Sequence, residues 1–405
     1  MSLTADLKSG KKVGHLKPLP PVAAEVDREL VGIDDKVDWL YYLSPLHNDE
    51  IWERFQETGY KEEPKLEYVA VPENYKHLRK ALRELRVDDI EHPAVHALLL
   101  EKQKELELQC ELVLLRDTEG FAAVSVDLFG GTDRALLHTA ERILNSVEDE
   151  DQTQDSAGCD EVAAAAEQHL AYYRQKAPDL AARVIIQPDL NSMMMVHRGN
   201  LEIARSVHLS PERIEALMAH EIGAHVVTRY NGHHQVIKQL EVGLAHYDAL
   251  QEGLGTLAEY LAGYLPPRRL RTIAARVVAS DLVVQRKTIV DIFEVLHEEH
   301  GIPAEDAFDI AVRARRGGGL TKDSVYLHGL QNLIEYLADG GSLEFLYLGK
   351  FALQQRFILQ ELVDDGFVAM PRLLPRHMEC PNCLERLERV RSLSVESLFQ
   401  GRPES

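Results

Sequence analysis

Cysteine is scarce in this sequence, and the few residues present are irregularly spaced: Cys110, Cys159, Cys380 and Cys383. This pattern excludes the dense disulfide framework of small secreted proteins. Long apolar runs are also missing. No stretch approaches the roughly 18 uncharged apolar residues that a membrane helix needs. Residues 1–12 carry charges but no apolar segment of the secretory type. We therefore expect a cytoplasmic protein with no membrane partner.

Positive charge is in short supply as well. The chain has 45 Lys and Arg against 66 Asp and Glu, a formal net charge of −21. Such an excess of carboxylates repels phosphate backbones, so nucleic acid is excluded as a partner. With 45% hydrophobic and 27% charged residues, the composition is that of a globular protein, and 405 residues suffice for one elaborate domain or two.

The most informative segment reads H-E-I-G-A-H over residues 220–225. Its two imidazoles can hold a metal ion, and the carboxylate beside them can activate metal-bound water. Metallopeptidase helices carry H-E-x-x-H, with the histidines four residues apart on one face. Here the interval is five, which in a regular α-helix turns His225 roughly 140° away from His220. A π-type turn, which Gly223 tolerates, returns both rings to one side, so we predict a bulged or broken helix.

The start of this helix is also predicted by the sequence. Ser210 has the residue type of an N-cap, Pro211 fits the first helical position and Glu212 adds an acid in the first turn. A bare pair of histidines at this spacing would still be an ordinary feature of a surface helix. A metal site therefore needs a further ligand.

Residues 248–255, which read D-A-L-Q-E-G-L-G, open a second predicted helix and offer that ligand. The apolar stripe of this helix leaves Glu252 on the opposite side with Gly255, where a closely packed helix would bury the carboxylate and require a partner for it. The alternative is a glutamate that points to solvent. Two histidines and a carboxylate are a standard zinc set with an open position for water. We predict one zinc ion per chain on His220, His225 and Glu252, although manganese or iron also binds such a set.

Taken together, the segments at 220–225 and 251–254 resemble a known family. They are similar to bacterial proteins named for a QEGLA motif and for modulating flavohaemoglobin expression, and to the eukaryotic microtubule-associated tyrosine carboxypeptidases. The similarity runs from about residue 37 to 327. Ala224 and Gly255 depart from the common pattern of threonine and alanine, but neither change removes a metal-binding or proton-transferring atom.

The resemblance implies a zinc carboxypeptidase that removes a C-terminal residue, aromatic in the relatives' substrates, from a peptide or protein. His220, His225 and Glu252 would be the ligands, and Glu221 would take the proton of the metal-bound water. The eukaryotic relatives act on acidic tubulin tails. This acidic chain has no long basic arm, so we expect that tubulin is not its natural substrate.

A carboxypeptidase must also bind a terminal carboxylate, usually with arginine or lysine. The candidates around the glycine run 317–319 are Arg313, Arg316, Lys322 and Tyr326. The run is either a flexible loop over the site or a plain turn between two helices, and both interpretations stay open.

Hydrolysis needs a donor for the oxyanion as well. Candidates by residue type are Tyr230, His233, His234, His246, Tyr247 and Tyr326, each with a packed or surface ring as the alternative. Asp248 is either an acceptor for a ligand histidine or an N-cap.

Two other classes of function stay open. An endopeptidase or amidase would keep the same metal site but accept a blocked C-terminus. A non-catalytic regulator could bind a partner through the acidic surface, but a purely structural metal site has no need of Glu221.

The coarse organisation is a helical protein with one strand-rich segment. Strand patterns at 182–188, 193–196 and 201–204 predict a small sheet just before the metal helix, where an edge strand could bind an extended peptide. The predicted fold class is α+β, predominantly helical, with that sheet beside the zinc-binding helix. The predicted regions are a flexible tail at 1–30, a helical region at 31–146, an acidic linker or loop at 147–160, a zinc metallopeptidase region at 161–375 and a C-terminal tail at 376–405.

Cys380 and Cys383 alone have the spacing of metal ligands. With His377 they offer three ligands to a structural metal, but no second C-x-x-C motif completes the site. We favour surface thiols in a C-terminal tail, with a second metal as the alternative.

Overall fold

The computed structural model describes residues 16–148, 156–188, 190 and 192–399. Within these ranges the chain is mostly helical, with short strands in two small sheets, so the predicted α+β class with a helical excess is confirmed. No helix in the described ranges is long and apolar enough to cross a membrane. Most of the acidic run at 148–151 lies outside the described residues.

The N-terminal region consists of helices that each bury one side. They are α1 (Pro21–Asp34), α2 (Trp39–Leu43), α3 (Asn48–Glu57), α4 (Asn74–Glu84), α5 (Pro93–Leu114), α6 (Phe121–Phe129) and α7 (Arg134–Ser146). α4 and α5 lie within the region 31–146, which the sequence predicts to be helical. Asp133 caps α7, because its side chain accepts a hydrogen bond from the backbone N–H of Leu136.

The strands lie in the middle of the chain, around the helix α8 (Cys159–Lys176). They are β1 (Ala157–Gly158), β2 (Val184–Gln187), β3 (Met194–His197), β4 (Asn200–Ala204) and β5 (His208–Leu209). β4 is central in a three-stranded sheet, parallel to β2 and antiparallel to β3, while β1 and β5 form a separate antiparallel pair. β3 and β4 pack against residues 219–226. A small sheet beside the metal helix is therefore confirmed.

The remaining helices follow the strands in the chain. They are α9 (Pro211–Met218), a π-helix (Ala219–Val226), α10 (Val227–His233), α11 (Gln239–Val242), α12 (Asp248–Ala262), α13 (Pro267–Val284), α14 (Ile289–Glu294), a second π-helical turn (Val295–Glu299), α15 (Ala304–Arg315), α16 (Val325–Ala338), α17 (Arg356–Asp364) and α18 (Pro381–Val390). Short 3₁₀ turns lie at Val87–Asp89, Arg316–Gly318, Lys322–Ser324, Glu344–Tyr347, Leu353–Gln355, Arg376–Glu379 and Val395–Ser397. α13 and α14 are separate helices, because Thr288 caps the second one by accepting a hydrogen bond from the N–H of Asp291.

The flexible tail predicted for residues 1–30 is wrong from residue 21 onward, where α1 begins. Ala23, Val26 and Leu30 are buried and belong to the main core. Their three- and four-residue spacing is that of a helix face, and this face packs on α5. Residues 1–15 lie outside the described residues.

The predicted C-terminal tail from residue 376 is also folded as far as residue 399. α18 buries Leu387 and Val390 and packs against α12, so this segment belongs to the core rather than to a tail. Residues 400–405 lie outside the described ranges. The predicted linker at 147–160 likewise ends early, since 157–158 form β1 and α8 begins at 159.

α12 lies between the π-helix and α16, and glycines allow both contacts. A methyl group at Gly329 would overlap the backbone carbonyl of Ala249, and one at Gly253 would lie 2.7 Å from the carbonyl carbon of Gly329. Real Cβ atoms do not approach backbone so closely, so only glycine permits this separation of the two helices. The third glycine contact, at Gly255, belongs to the site itself.

Replacing Gly329 with alanine should destabilise the protein by about 1–3 kcal/mol, because α16 must move away from α12. The matched control is Gly32→Ala in α1, where an added methyl meets nothing within 4 Å. That change should stabilise by about 0.5–1 kcal/mol, since alanine suits a helix interior better than glycine. Chemical denaturation of both variants measures the difference. Equal stability of the two variants would contradict the packing argument.

Candidate metal centre

The helix that carries His220 and His225 changes its winding at the motif. α9 ends at Met218, and the π-helix Ala219–Val226 follows before α10 begins at Val227. The ring centroids of the two histidines lie 5.0 Å apart, so the wider turn has returned both rings to one side. The predicted bulged helix at 220–225 is confirmed.

The predicted cap of α9 is only half right. Pro211 occupies the first helical position, and Ser210 stands at the N-cap. However, the Ser210 hydroxyl makes no capping hydrogen bond and is buried without a partner in the described part of the chain. The backbone of this helix start is therefore not stabilised by the serine side chain.

Glu252 on α12 meets the two histidines. Its Oε2 lies 3.6 Å from Nε2 of His220 and 4.0 Å from Nε2 of His225. One potential ligand atom from each of the three residues lies within 4.8 Å of the others, and within the described ranges no other group of three histidine, cysteine or acidic side chains does so. Such a set can hold a metal ion.

Gly255, one turn after Glu252, leaves room for the His220 ring to contact α12. A methyl group at this position would lie 2.5 Å from Cε1 and Nε2 of the His220 ring. The imidazole therefore rests directly on the backbone of α12. The departure from the QEGLA pattern at residue 255 removes a methyl that would displace a ligand ring.

Both histidines are oriented from behind by acceptors on α12. Nδ1 of His220 donates to Glu259 Oε1 at 2.7 Å, and Nδ1 of His225 donates to Gln251 Oε1 at 3.3 Å. These bonds leave each Nε2 facing Glu252, as metal ligation requires. Arg269 approaches Glu259 at 3.4 Å and balances its charge. Glu259 was not among the residues predicted from the sequence, although it lies seven residues after Glu252 and thus on the same helix face.

The charges of the three ligand candidates are strongly coupled. Burial lowers the pKa of His220, but its bonds to Glu252 and Glu259 outweigh burial and raise that pKa to about 10. Burial lowers the pKa of His225 to about 4, against the opposing charge of Glu252. Burial raises the pKa of Glu252, yet His220 and His225 hold it well below its usual range. The site is therefore built around a carboxylate that stays ionised.

Glu221 lies beside this group on the π-helix. Its side chain is buried, with 9% of its surface exposed. Burial raises its pKa to about 7, the charge of His220 lowers it, and the charges of Glu252 and Glu259 raise it again. A carboxyl group with a pKa near neutrality is suited to exchanging protons with a substrate.

The four predicted substrate-binding residues lie on the α15–α16 side of the site, but two of them are bound to acids. Arg313 makes two hydrogen bonds to Asp323, at 2.6 and 2.9 Å. Lys322 donates to Asp248 at 2.7 Å, so Asp248 is neither an N-cap nor an acceptor for a ligand histidine. Lys322 still faces the ligands, because its charge lowers the pKa of Glu252.

The other two candidates differ in exposure. Arg316 is 7% exposed, and the turn 317–319 that follows packs on the ring of Phe121. A plain turn between α15 and α16 therefore describes this segment. Tyr326 lies close enough to Glu252 for that charge, together with burial, to raise the pKa of the tyrosine.

The oxyanion candidates are spread over several places. At the end of α10, Tyr230 and the following residue His234 bond to Asp179, and His233 bonds to Glu241. His246 faces the carbonyl of Leu128 instead. The candidates whose pKa responds to the charge of Glu252 are Tyr247 and Tyr326.

The C-terminal thiols do not join a second metal group in the described residues. Cys380 is exposed, but Cys383 is buried, so the expectation of two surface thiols is wrong for Cys383. Its position in the first turn of α18 faces the core. His377 instead lies against the π-helix, where its Nδ1 would be 3.5 Å from a methyl group at Gly223.

Two facing histidines, a glutamate from the next helix and a buried carboxylate beside them form the residue set of hydrolytic metal sites. The fold and site thus define a hydrolase built on a helical α+β scaffold. A model of the microtubule-associated tyrosine carboxypeptidase family matches residues 53–394, and the chain belongs to this family. No curated protein matches the chain.

Changing Glu259 to glutamine should weaken zinc binding by about 10- to 100-fold, because the amide cannot hold the His220 tautomer as strongly as the carboxylate does. Competition with a chelator measures the affinity. Glu335→Gln on the exposed side of α16 is the control and should leave the affinity unchanged. Equal affinities in the two variants would argue against a role for Glu259 in orienting His220.

Proposed function

We propose that this protein is a zinc-dependent carboxypeptidase that removes a C-terminal residue from a peptide or protein. The observation that carries the proposal is the convergence of His220, His225 and Glu252, with Glu221 beside them, in a chain of the carboxypeptidase family. The Q-E-G-L segment at 251–254 supports a place near the bacterial QEGLA-motif proteins. Residues of this chain carry the metal-binding and proton-transfer roles in this proposal.

The donor set fits zinc. His220 and His225 turn Nε2 toward Glu252 because their Nδ1 atoms are engaged by Glu259 and Gln251. Two imidazoles and one carboxylate form a common catalytic zinc set and leave a position for water, and zinc would displace the proton that His220 carries beside Glu252. A zinc ion there would polarise the scissile carbonyl and lower the pKa of water at the site.

Glu221 is the proton carrier in this proposal. It accepts a proton from the attacking water and later gives it to the nitrogen of the departing amino acid, so atoms and charges balance over one hydrolysis. Its buried position supports this role, because a carboxylate removed from water takes up and releases protons near neutral pH. Tyr326 or Tyr247 supplies the O–H that stabilises the oxyanion.

The cations on the α15–α16 side provide the positive potential that a terminal carboxylate needs. The candidates there are Arg313, Arg316 and Lys322 beside Tyr326. The overall charge of −21 favours a substrate other than an acidic tail such as that of tubulin. The low cysteine content supports action in the cytoplasm.

The purified protein should contain about one zinc per chain without added metal, and Glu252→Ala should lose most of it, because two histidines alone bind zinc weakly. Elemental analysis of both proteins measures this. Glu361→Ala on the exposed face of α17 serves as the control and should keep the metal. A protein free of metal, or a Glu252→Ala variant with full zinc content, would contradict the proposed ligands.

The zinc-loaded protein should release a C-terminal aromatic residue from a short peptide with a free C-terminus, but not from its amide. Glu221→Gln should keep the zinc and lower turnover by about 10²- to 10⁴-fold, the contribution of a general base. Mass spectrometry of the products and elemental analysis of the variant measure both effects.

Cleavage of the amidated peptide at a comparable rate would instead indicate an endopeptidase or amidase. A biological effect that persists fully in Glu221→Gln would indicate a non-catalytic regulator. Each result can be read independently of the metal content.

A further inference from the structure

Five cations lie on one side of the candidate metal centre, and three of them have carboxylate partners. Arg313 binds Asp323, Lys322 binds Asp248, and Arg269 approaches Glu259. The remaining two are Arg276 and Arg316. A buried cation without a carboxylate is costly, so an unpaired cation beside a catalytic site indicates a place for an anion that arrives with the substrate.

Arg276 differs from Arg316 in being reachable. Arg316 is 7% exposed, whereas Arg276 is only partly buried. Among the described residues no hydrogen bond satisfies Arg276, and its Nε is buried without a partner. Burial lowers the pKa of Arg276 and the neighbouring charge of Arg313 lowers it further, while the charge of Asp323 raises it. Asp323 makes its hydrogen bonds to Arg313, so a substrate carboxylate would give the Arg276 side chain the hydrogen-bond partner that it lacks among the described residues.

The position of Arg276 relative to the centre follows from α13 and α16. Arg269 and Arg276 are seven residues apart, so they lie on one face of α13. The guanidinium of Arg276 stacks on the ring of Tyr326, 4.9 Å from its centroid. Tyr326 lies in the first turn of α16, which packs against α12, the helix that carries Glu252. The charge of Glu252 also raises the pKa of Tyr326, so the tyrosine is near both the candidate ligand and Arg276.

Lys350 is the rival cation. It lies over the ring of Tyr247, 5.3 Å from the centroid, and burial lowers its pKa to about 8. It approaches the centre from the His225 side, since its charge lowers the pKa of that histidine. A lysine provides a point charge, while the planar fork of an arginine matches both oxygens of a carboxylate.

We infer that Arg276, stacked on Tyr326, is the residue that binds the terminal carboxylate of the substrate, whereas Arg313 only holds Asp323 in place. This inference rests on the proposed carboxypeptidase function and adds the residue that selects a free C-terminus. Arg276 contributes two N–H groups to the carboxylate, and the Tyr326 ring keeps the guanidinium plane in position.

The test uses the full chain with zinc and the Glu221→Gln substitution, so that peptides bind without being cut. The probes are two acetylated peptides that end in tyrosine, one as the free acid and one as the amide. Calorimetry should show at least about tenfold tighter binding of the free acid. Adding Arg276→Gln should weaken free-acid binding by about 10- to 100-fold and leave amide binding unchanged, and Arg276→Lys should restore part of the loss.

Lys350→Met in the same background is the matched control and should keep the preference for the free acid. Zinc content and circular dichroism confirm that each variant is folded. Retained preference in both Arg276 variants, loss of preference in Lys350→Met, or no preference in the parent would overturn the inference.

Turnover of the wild-type protein is measured separately, so that the binding role of Arg276 and the proposed hydrolysis are tested independently. A free-acid preference that depends on Arg276, in a protein that cuts no peptide, would sustain the binding role and overturn the proposed hydrolysis. Cleavage of free-acid peptides with a preference independent of Arg276 would sustain the proposed hydrolysis and overturn the binding role of Arg276.

Discussion

The close packing of α12 between the π-helix and α16 is the constraint on which the site depends. The potential metal ligands lie on two different helices. Their atoms come close together only because α12 has glycines, and so no side chains, at its contacts on both sides. Gly255 lets the His220 ring rest on α12, and Gly253 and Gly329 let α16 approach from the other side. Glu252 is thereby held in a buried place where an acid requires a partner.

A second consequence of this packing is electrostatic. Glu221, Glu252 and Glu259 lie within one buried region, where like charges destabilise one another unless cations intervene. His220 bonds to two of these acids, and cations from α13 and from the turn before α16 face them. A protein with net charge −21 thus has a group of basic side chains beside an acidic centre.

The sequence singles out the three candidate ligands that the fold brings together, because metal chemistry restricts residue type and spacing together. The interval from His220 to His225 demands a wider turn, and the structure contains it. Glu259 and Arg276 could not be singled out, since a helical glutamate or arginine is ordinary until its neighbours in space are known. The buried face of α1 was readable from its apolar spacing, but the charges and prolines around it masked that signal. The break after α13 depends on the cap at Thr288, a local bond that helical periodicity does not reveal.

The rear of the π-helix rests on residues from the far end of the chain. The His377 ring packs on Gly223, and the backbone N–H of Arg376 donates to the hydroxyl of Tyr173 beside it. During synthesis, the motif helix therefore leaves the ribosome long before its rear support exists. The centre can reach its final shape only when the segment around His377 has been made, so a metal ion bound there would be taken up late in synthesis.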